Sequence, residues 1–180
     1  MQVESSRRWR RWLKKQATYV DGLCSTIPAG KSVIDLGAGC GHFVRALRER
    51  GYDAKGCDAT EGIWEITNGL VQQVDLAGDC STFYDHTDWA LFLEVGEHVP
   101  MELEQQLIDN VSRIPREGLI VSWATTTRKS YGHVNCRPPE HVVAELAARG
   151  WVVDEEATAK LKEFAPRNVK RNVRVFGRKP

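Results

Sequence analysis

Apolar residues along this chain fall at two alternating spacings, which predict helices and strands in turn. Residues 7–24 set Trp9, Trp12, Leu13, Val20 and Leu23 near one face of a helix, with arginines and lysines elsewhere. The stretch STIPAG (25–30) breaks that helix. SVIDLG (32–37) is a short apolar strand running straight into glycines, and 42–51 reads as a helix carrying Phe43 and Leu47 and stopped by Gly51. Further strands are expected at 53–58, 70–75, 88–94 and 118–124, with DWALFLE the strongest of them. Helical spacing returns at 101–112 through Leu103, Leu107, Ile108 and Val111. Pro138 and Pro139 open another helix that Gly150 ends, and WVVDE (151–155) and NVRVFGR (172–178) complete the set.

Strands alternating with helices predict an α/β fold with a mostly parallel sheet covered on both faces. The linker at 76–87 is near the minimum for a parallel crossover, so its helix is expected to shrink to a turn. A length of 180 residues suits one core. The expected organisation is a basic amphipathic helix within 1–30 packed on a single domain at 31–180.

Composition narrows the picture without naming a partner. The hydrophobic share of 42% and charged share of 27% are ordinary for a globular protein, and a net charge of +1 neither implies nor excludes a polyanion. The basic run RRWRRWLKK (7–15) interleaves tryptophan with arginine, as nucleic-acid-binding segments do. Packing of its aromatic side on the domain, as a lid over a ligand, is the preferred reading. No apolar run reaches about 18 residues, so no membrane span is expected. The start of the chain lacks the apolar core of a signal peptide, and a cytoplasmic protein is expected. Cysteines at 24, 40, 57, 80 and 136 are odd in number and never spaced as CxxC, which argues for reduced thiols over disulfides or structural zinc.

The chemistry gathers at two motifs. VIDLGAGCGHF (33–43) is strand, glycine turn and helix, with Gly37, Gly39 and Gly41 letting the backbone approach a ligand. A second strand ends at Asp58, 21 residues beyond Gly37, where a carboxylate can accept both hydroxyls of a ribose. Asp35 beside the turn disfavours a pyrophosphate and suits a cationic ligand bearing an amino acid. With VDL at 74–76 and FLEVGEHVP at 92–100, these residues closely resemble the class I S-adenosylmethionine-dependent methyltransferases, over roughly residues 30–178.

The resemblance implies a Rossmann-like, seven-stranded, mostly parallel sheet whose antiparallel last strand is VRVFGR. It implies S-adenosyl-L-methionine as cofactor, with Asp35, Gly37, Ala38 and Gly39 along the methionine part. Asp58 and Ala59 would lie at the ribose and Asp75 and Leu76 at the adenine. Glu94 would end the strand nearest the transferable methyl.

FLEVGEHVP also brings Glu97 and His98 to the tip of that strand, and the loop after the next strand carries His133 and Asn135. Glu94, Glu97, His98 and His133 can converge as ligands of a divalent metal, whether Mg, Mn, Fe, Co, Ni or Zn. The ExxEH arrangement resembles ubiquinone-pathway O-methyltransferases and small-RNA 2′-O-methyltransferases. It departs from the RNA branch in having Val99 where a further histidine stands, and in lacking an appended RNA-binding domain. Glu97, His98 and His133 are the candidate catalytic residues, with His98 as a metal-free base or a purely structural role as alternatives. A small-molecule hydroxyl acceptor is expected, with no membrane partner. An RNA terminus, N-methylation of a small amine, and an activator subunit remain as other readings. His42, His86 and His141 are expected at the surface or in packing, and Cys40 and Cys57 in packing.

Overall fold

The structure is a computed structural model that describes residues 17–80, 83, 87–126 and 132–179. Trp9, Trp12, Leu13 and His86, named above, lie outside these residues. The first described helix, α1, spans residues 17–26.

The glycine motif forms β1 (Ser32–Leu36), a turn, and α2 (His42–Arg48). After it come β2 (Asp53–Asp58), a short α3 (Ile63–Ile66), β3 (Gln72–Gln73) and β4 (Trp89–Leu93). The second half holds α4 (Glu104–Arg113), β5 (Gly118–Ser122), α5 (Pro139–Ala147), β6 (Trp151–Val153), α6 (Glu155–Phe164) and β7 (Arg174–Arg178). The seven strands order as β3-β2-β1-β4-β5-β7-β6. All neighbours from β3 to β5 pair in parallel, while β7 runs antiparallel to both β5 and β6. This is the sheet expected for a Rossmann-like methyltransferase fold.

Central strands read as unbroken apolar runs because both faces of the sheet are covered. On one face Ile34, Phe92, Leu119, Val121 and Trp123 pack under Leu107, Ile108 and Val111 of α4 and Val142 and Leu146 of α5. On the other, Val33, Leu91, Ile120 and Val175 meet Tyr19 and Leu23 of α1, Val44 and Leu47 of α2 and Leu161 of α6. The first helix thus contributes directly to the core, with Tyr19, Val20, Leu23 and Ile27 all buried.

Three departures from the sequence pattern have local causes. The strand expected at 70–75 pairs only through Gln72 and Gln73, because Asp75 leaves the ladder and accepts a hydrogen bond from the Ala77 N–H at 2.9 Å. The strand expected at 151–155 ends at Val153, since Asp154 caps α6 by accepting from the Ala157 N–H at 2.9 Å. α3 was not expected at all; it spans four residues between two glycines in the left-handed conformation, Gly62 and Gly69. The linker after β3 does begin as a turn, with the Gly78 N–H on the Asp75 carbonyl at 3.1 Å.

Candidate functional site

The candidate residues collect beyond the carboxyl ends of β1, β2, β4 and β5, at the switch point where the chain leaves β1 toward either side of the sheet. Gly37 has φ +83° and a Cβ there would run into Val95, so only glycine allows this close passage. The N–H groups of Gly37 and Ala38 donate to the Cys57 carbonyl at 2.8 and 2.9 Å, and that of Gly39 to Asp58 Oδ2 at 2.8 Å. These donors are already engaged, so the turn offers close approach and little anion binding. Asp58 Oδ1 accepts from both the N–H and the hydroxyl of Thr60, at 3.0 and 2.6 Å. One carboxylate therefore braces two loops.

A cavity of about 390 Å³ opens against this brace. Gly37, Asp58, Ala59 and Thr60 form one side, Asp75 and Leu76 another, and Glu94, Val95 and His98 the end. Asp35 sits behind the turn, 3% exposed, with Oδ2 lacking a hydrogen-bond partner. Burial foremost, then the charge of Asp58, pushes its carboxyl up to about 7. Ala38 and Gly39 support the turn and do not line the cavity.

Glu94 lines a second and larger cleft as well, of about 850 Å³, shared with Ala124, Thr125, Thr126, His133 and the turn before β7. Its φ of +57° is uncommon for a residue with a side chain and marks local strain where β4 ends. Glu94 Oε1 accepts from Asn172 Nδ2 at 3.0 Å, and the same amide donates to the Trp123 carbonyl at 2.7 Å. Burial first, then the charge of Glu97, raises the Glu94 carboxyl; the nearby Ser122 hydroxyl and the bond from Asn172 oppose this.

Glu97, His98 and His133 bring one ligand atom each within 4.8 Å of one another. The two imidazoles stand edge to face, centroids 5.0 Å apart. Glu97 is 0% exposed, and neither of its oxygens meets a donor at hydrogen-bonding geometry. Burial raises its carboxyl, opposed by the nearby N–H groups of Glu97 and Ala124 and by His133. His133 Nδ1 lies 3.3 Å from the Thr126 carbonyl, a hydrogen bond in the tautomer that carries its proton there. Glu94, the fourth ligand expected, stands outside the cluster of three, its carboxylate held by Asn172.

Several residues that position the site were not singled out beforehand. Glu104, 3% exposed, accepts from Arg137 Nε at 2.6 Å and Asn135 Nδ2 at 2.8 Å, and lies 2.7 Å from His141 Nε2. Burial opposes its ionisation, yet the bonds from Arg137, Asn135 and His141 outweigh it and hold the carboxyl low. The Trp123 indole donates to the Asn135 carbonyl at 2.6 Å, and the N–H groups of Val134 and Asn135 donate to the Glu97 carbonyl. So the His133 loop is fastened to α4, β5 and the Glu97 backbone. His141, expected only at the surface or in packing, belongs to this network. Tyr19 of α1 is buried with its hydroxyl unpartnered, and burial, then Glu94 and Asp35, raise its pKa. Cys57 is a packing residue whose thiol burial pushes up to about 12.

Gly96 is where this assembly is tightest: a Cβ there would lie 2.5 Å from the Trp123 ring. Gly96→Ala is expected to destabilise the fold by about 1–3 kcal/mol in urea unfolding, since the indole must shift or the backbone must strain. A variant as stable as the parent would show that Trp123 is free to move.

No family model matches the chain, and no curated protein matches it in sequence. Solved structures match it in fold. A TehB-like SAM-dependent methyltransferase from Corynebacterium glutamicum superposes with a TM-score of 0.68 at 16% identity, covering 99% of this chain and 100% of that one. Magnesium protoporphyrin IX methyltransferase from Synechocystis, solved with bound SAH, gives 0.66 at 18% identity over 98% of this chain and 95% of that one. The 1,6-didemethyltoxoflavin-N1-methyltransferase of Burkholderia thailandensis gives 0.63 at 15% identity over 99% and 85%. At these identities the likeness establishes the fold.

Proposed function

We propose that this chain is an S-adenosylmethionine-dependent methyltransferase acting on a hydroxyl of its acceptor. The observation that carries this reading is Glu94, which forms a wall of both the 390 Å³ cavity and the 850 Å³ cleft. Cofactor in the first cavity and acceptor in the second would meet at that residue, beside His98 and His133. SAM-dependent methyltransferases that share the fold, two of them solved with S-adenosylhomocysteine bound, support the assignment of the first cavity.

In this reading Asp58 accepts from the ribose hydroxyls, Ala59 lies beside them, and Asp75 and Leu76 flank the adenine. Gly37 lines the methionine end, Ala38 and Gly39 support the turn there, and the buried carboxyl of Asp35 behind it favours a cationic ligand. S-adenosylmethionine supplies an electrophilic methyl. The acceptor oxygen gives a lone pair to that carbon while the carbon–sulfur pair stays on sulfur. The protein's part is to align these atoms and exclude water. With no metal in the cluster, His98, its exposed member, would take the hydroxyl proton as the new bond forms.

Glu97, His98 and His133 also fit a divalent metal. A fully buried carboxylate without a donor is costly unless a cation answers it, and the two imidazoles complete a mixed nitrogen and oxygen set. That set favours Mn, Fe, Co, Ni or Zn over Mg on softness, although the families that the motif resembles accept Mg. A metal held there would make a neighbouring hydroxyl easier to deprotonate.

The test is turnover by the intact chain with label in the methyl group, across matched hydroxyl and amine acceptors. Label in hydroxyl acceptors supports the proposal. Label in amines alone would replace it with N-methylation, and cofactor binding without any turnover would favour an activator subunit.

Asp35 gives the reading a pH signature. Without ligand its carboxyl is raised, so the native state holds a proton that the unfolded chain has released, and this group's contribution to stability falls as pH rises from about 4 to 7. A cationic cofactor prefers the ionised form. Its affinity should therefore fall by up to about tenfold per pH unit below 7 and level off above it. Calorimetry across pH checks this, and Asp35→Asn should flatten the profile. An unchanged slope in that variant would assign the titration elsewhere.

A further inference from the structure

The cleft beyond Glu94 has a cationic wall that the proposed transfer chemistry does not use. Arg167, Lys170 and Arg171 all line it, and their side chains make no ion pair with any described residue. They are held on a rigid turn. The N–H groups of Val169 and Lys170 return to the Pro166 carbonyl at 2.9 and 2.8 Å, and those of Asn172 and Val173 to the Val169 carbonyl at 3.1 and 2.9 Å. Val169 and Val173 are buried as anchors, which leaves 167, 170 and 171 on the exposed side. Asn172, next in the chain, bonds Glu94 itself, so the turn is fastened to the centre of the site.

Cations on a convex surface are solvated and need no partner. These line a concavity, where charges of one sign focus the field on whatever enters. Several acidic residues elsewhere are answered by a cation: Glu104 by Arg137, Asp109 and Glu145 by Arg149, Asp21 by Arg50. The acid of the cleft, Glu94, is engaged with Asn172 and held toward its neutral form by burial. Three cations without an ion pair among the described residues therefore line the space in which an acceptor would sit.

Resting on the methyltransferase reading, we infer that the acceptor is a small molecule carrying an anionic group, a carboxylate or a phosphate, which Arg167, Lys170 and Arg171 bind while its hydroxyl lies toward Glu94 and His133. Guanidinium groups pair such oxyanions through two parallel hydrogen bonds, and this suits a planar or tetrahedral anion at the outer end of the acceptor. The described lining of the cleft carries three clustered cations, which fits a compact charge. A polymer would need a longer track along its backbone.

The experiment is calorimetry on the full chain saturated with S-adenosylhomocysteine. The probes are 3,4-dihydroxybenzoate against catechol, ribose 5-phosphate against ribose, and a short single-stranded RNA. At least one anionic probe should bind more tightly than its neutral partner by about tenfold or more, and the pair with the larger gap identifies carboxylate or phosphate. The variant Arg167→Gln, Lys170→Gln, Arg171→Gln should erase that gap while keeping its melting temperature and its S-adenosylhomocysteine affinity. Equal binding of charged and neutral probes, a gap that survives in the variant, or no binding of either anionic probe would overturn the inference. RNA binding far tighter than ribose 5-phosphate, with steep salt dependence, would overturn it in favour of a polymeric acceptor. Failure of S-adenosylhomocysteine to bind would instead count against the methyltransferase reading, and the probe pairs measured without it would still test the cleft.

Discussion

His98→Ala is expected to abolish divalent-metal binding and to lower methyl transfer by about 10²–10⁴-fold, while cofactor affinity stays close to that of the parent. Among the described residues the cluster offers three ligand atoms, one of them from this imidazole, so its loss leaves a carboxylate and a single histidine. Glu97→Gln carries a distinguishing signature. Its carboxyl is fully buried, raised by burial and unpartnered, so ionised Glu97 works against the metal-free fold near neutral pH. Replacing it should raise the melting temperature of the metal-free protein even as metal binding is lost. Gain in stability with loss of function is the mark of a residue held in place for chemistry. Parallel metal titrations, thermal melts and assays with and without chelator read all three effects. Full activity in chelator with His98→Ala still inactive would make His98 a metal-free base, and active variants at both positions would make the cluster structural.

Asp58→Ala should weaken S-adenosylhomocysteine binding by roughly 10–100-fold, the effect of losing charge-assisted hydrogen bonds to a ribose. The structure adds a second contribution, because the same carboxylate fixes the Gly39 N–H and both donors of Thr60. Asp58→Asn keeps one acceptor for that brace and should fall between the parent and the alanine variant. Unchanged affinity in a folded Asp58→Ala protein would remove this residue from the site.

What could be seen from sequence depended on how far apart the determining residues lie. β1, β4 and β5 were plain because strands covered on both faces are apolar throughout, as in Gly118–Ser122, buried at every position. The glycine turn, Asp58 and the Glu97–His98 pair were legible because each is a local pattern at a strand end. β3 was overdrawn because Val71 and Val74 look like strand residues whether or not they pair. α6 was missed although Asp154 with Glu155 and Glu156 is a capping signal, because Trp151–Val153 continues visually into it. The bond from Asn172 to Glu94 spans 78 residues and joins the entry of β7 to the end of β4, which no spacing rule anticipates. The Glu104 network has the same origin, with partners 31 to 37 residues away. The basic residues at 167–171 carry no local signal of a site, and only the fold sets them along a cleft.

The measurement that bears most directly on the account is a titration of the intact chain with S-adenosylhomocysteine, followed by backbone NMR shifts. One site per chain is expected, with the largest shifts at Gly37 to Gly39, Asp58 to Thr60 and Asp75 to Ala77. Saturating S-adenosylhomocysteine with no shift at these residues, or shifts confined to another surface, would contradict a methyltransferase built on this cavity.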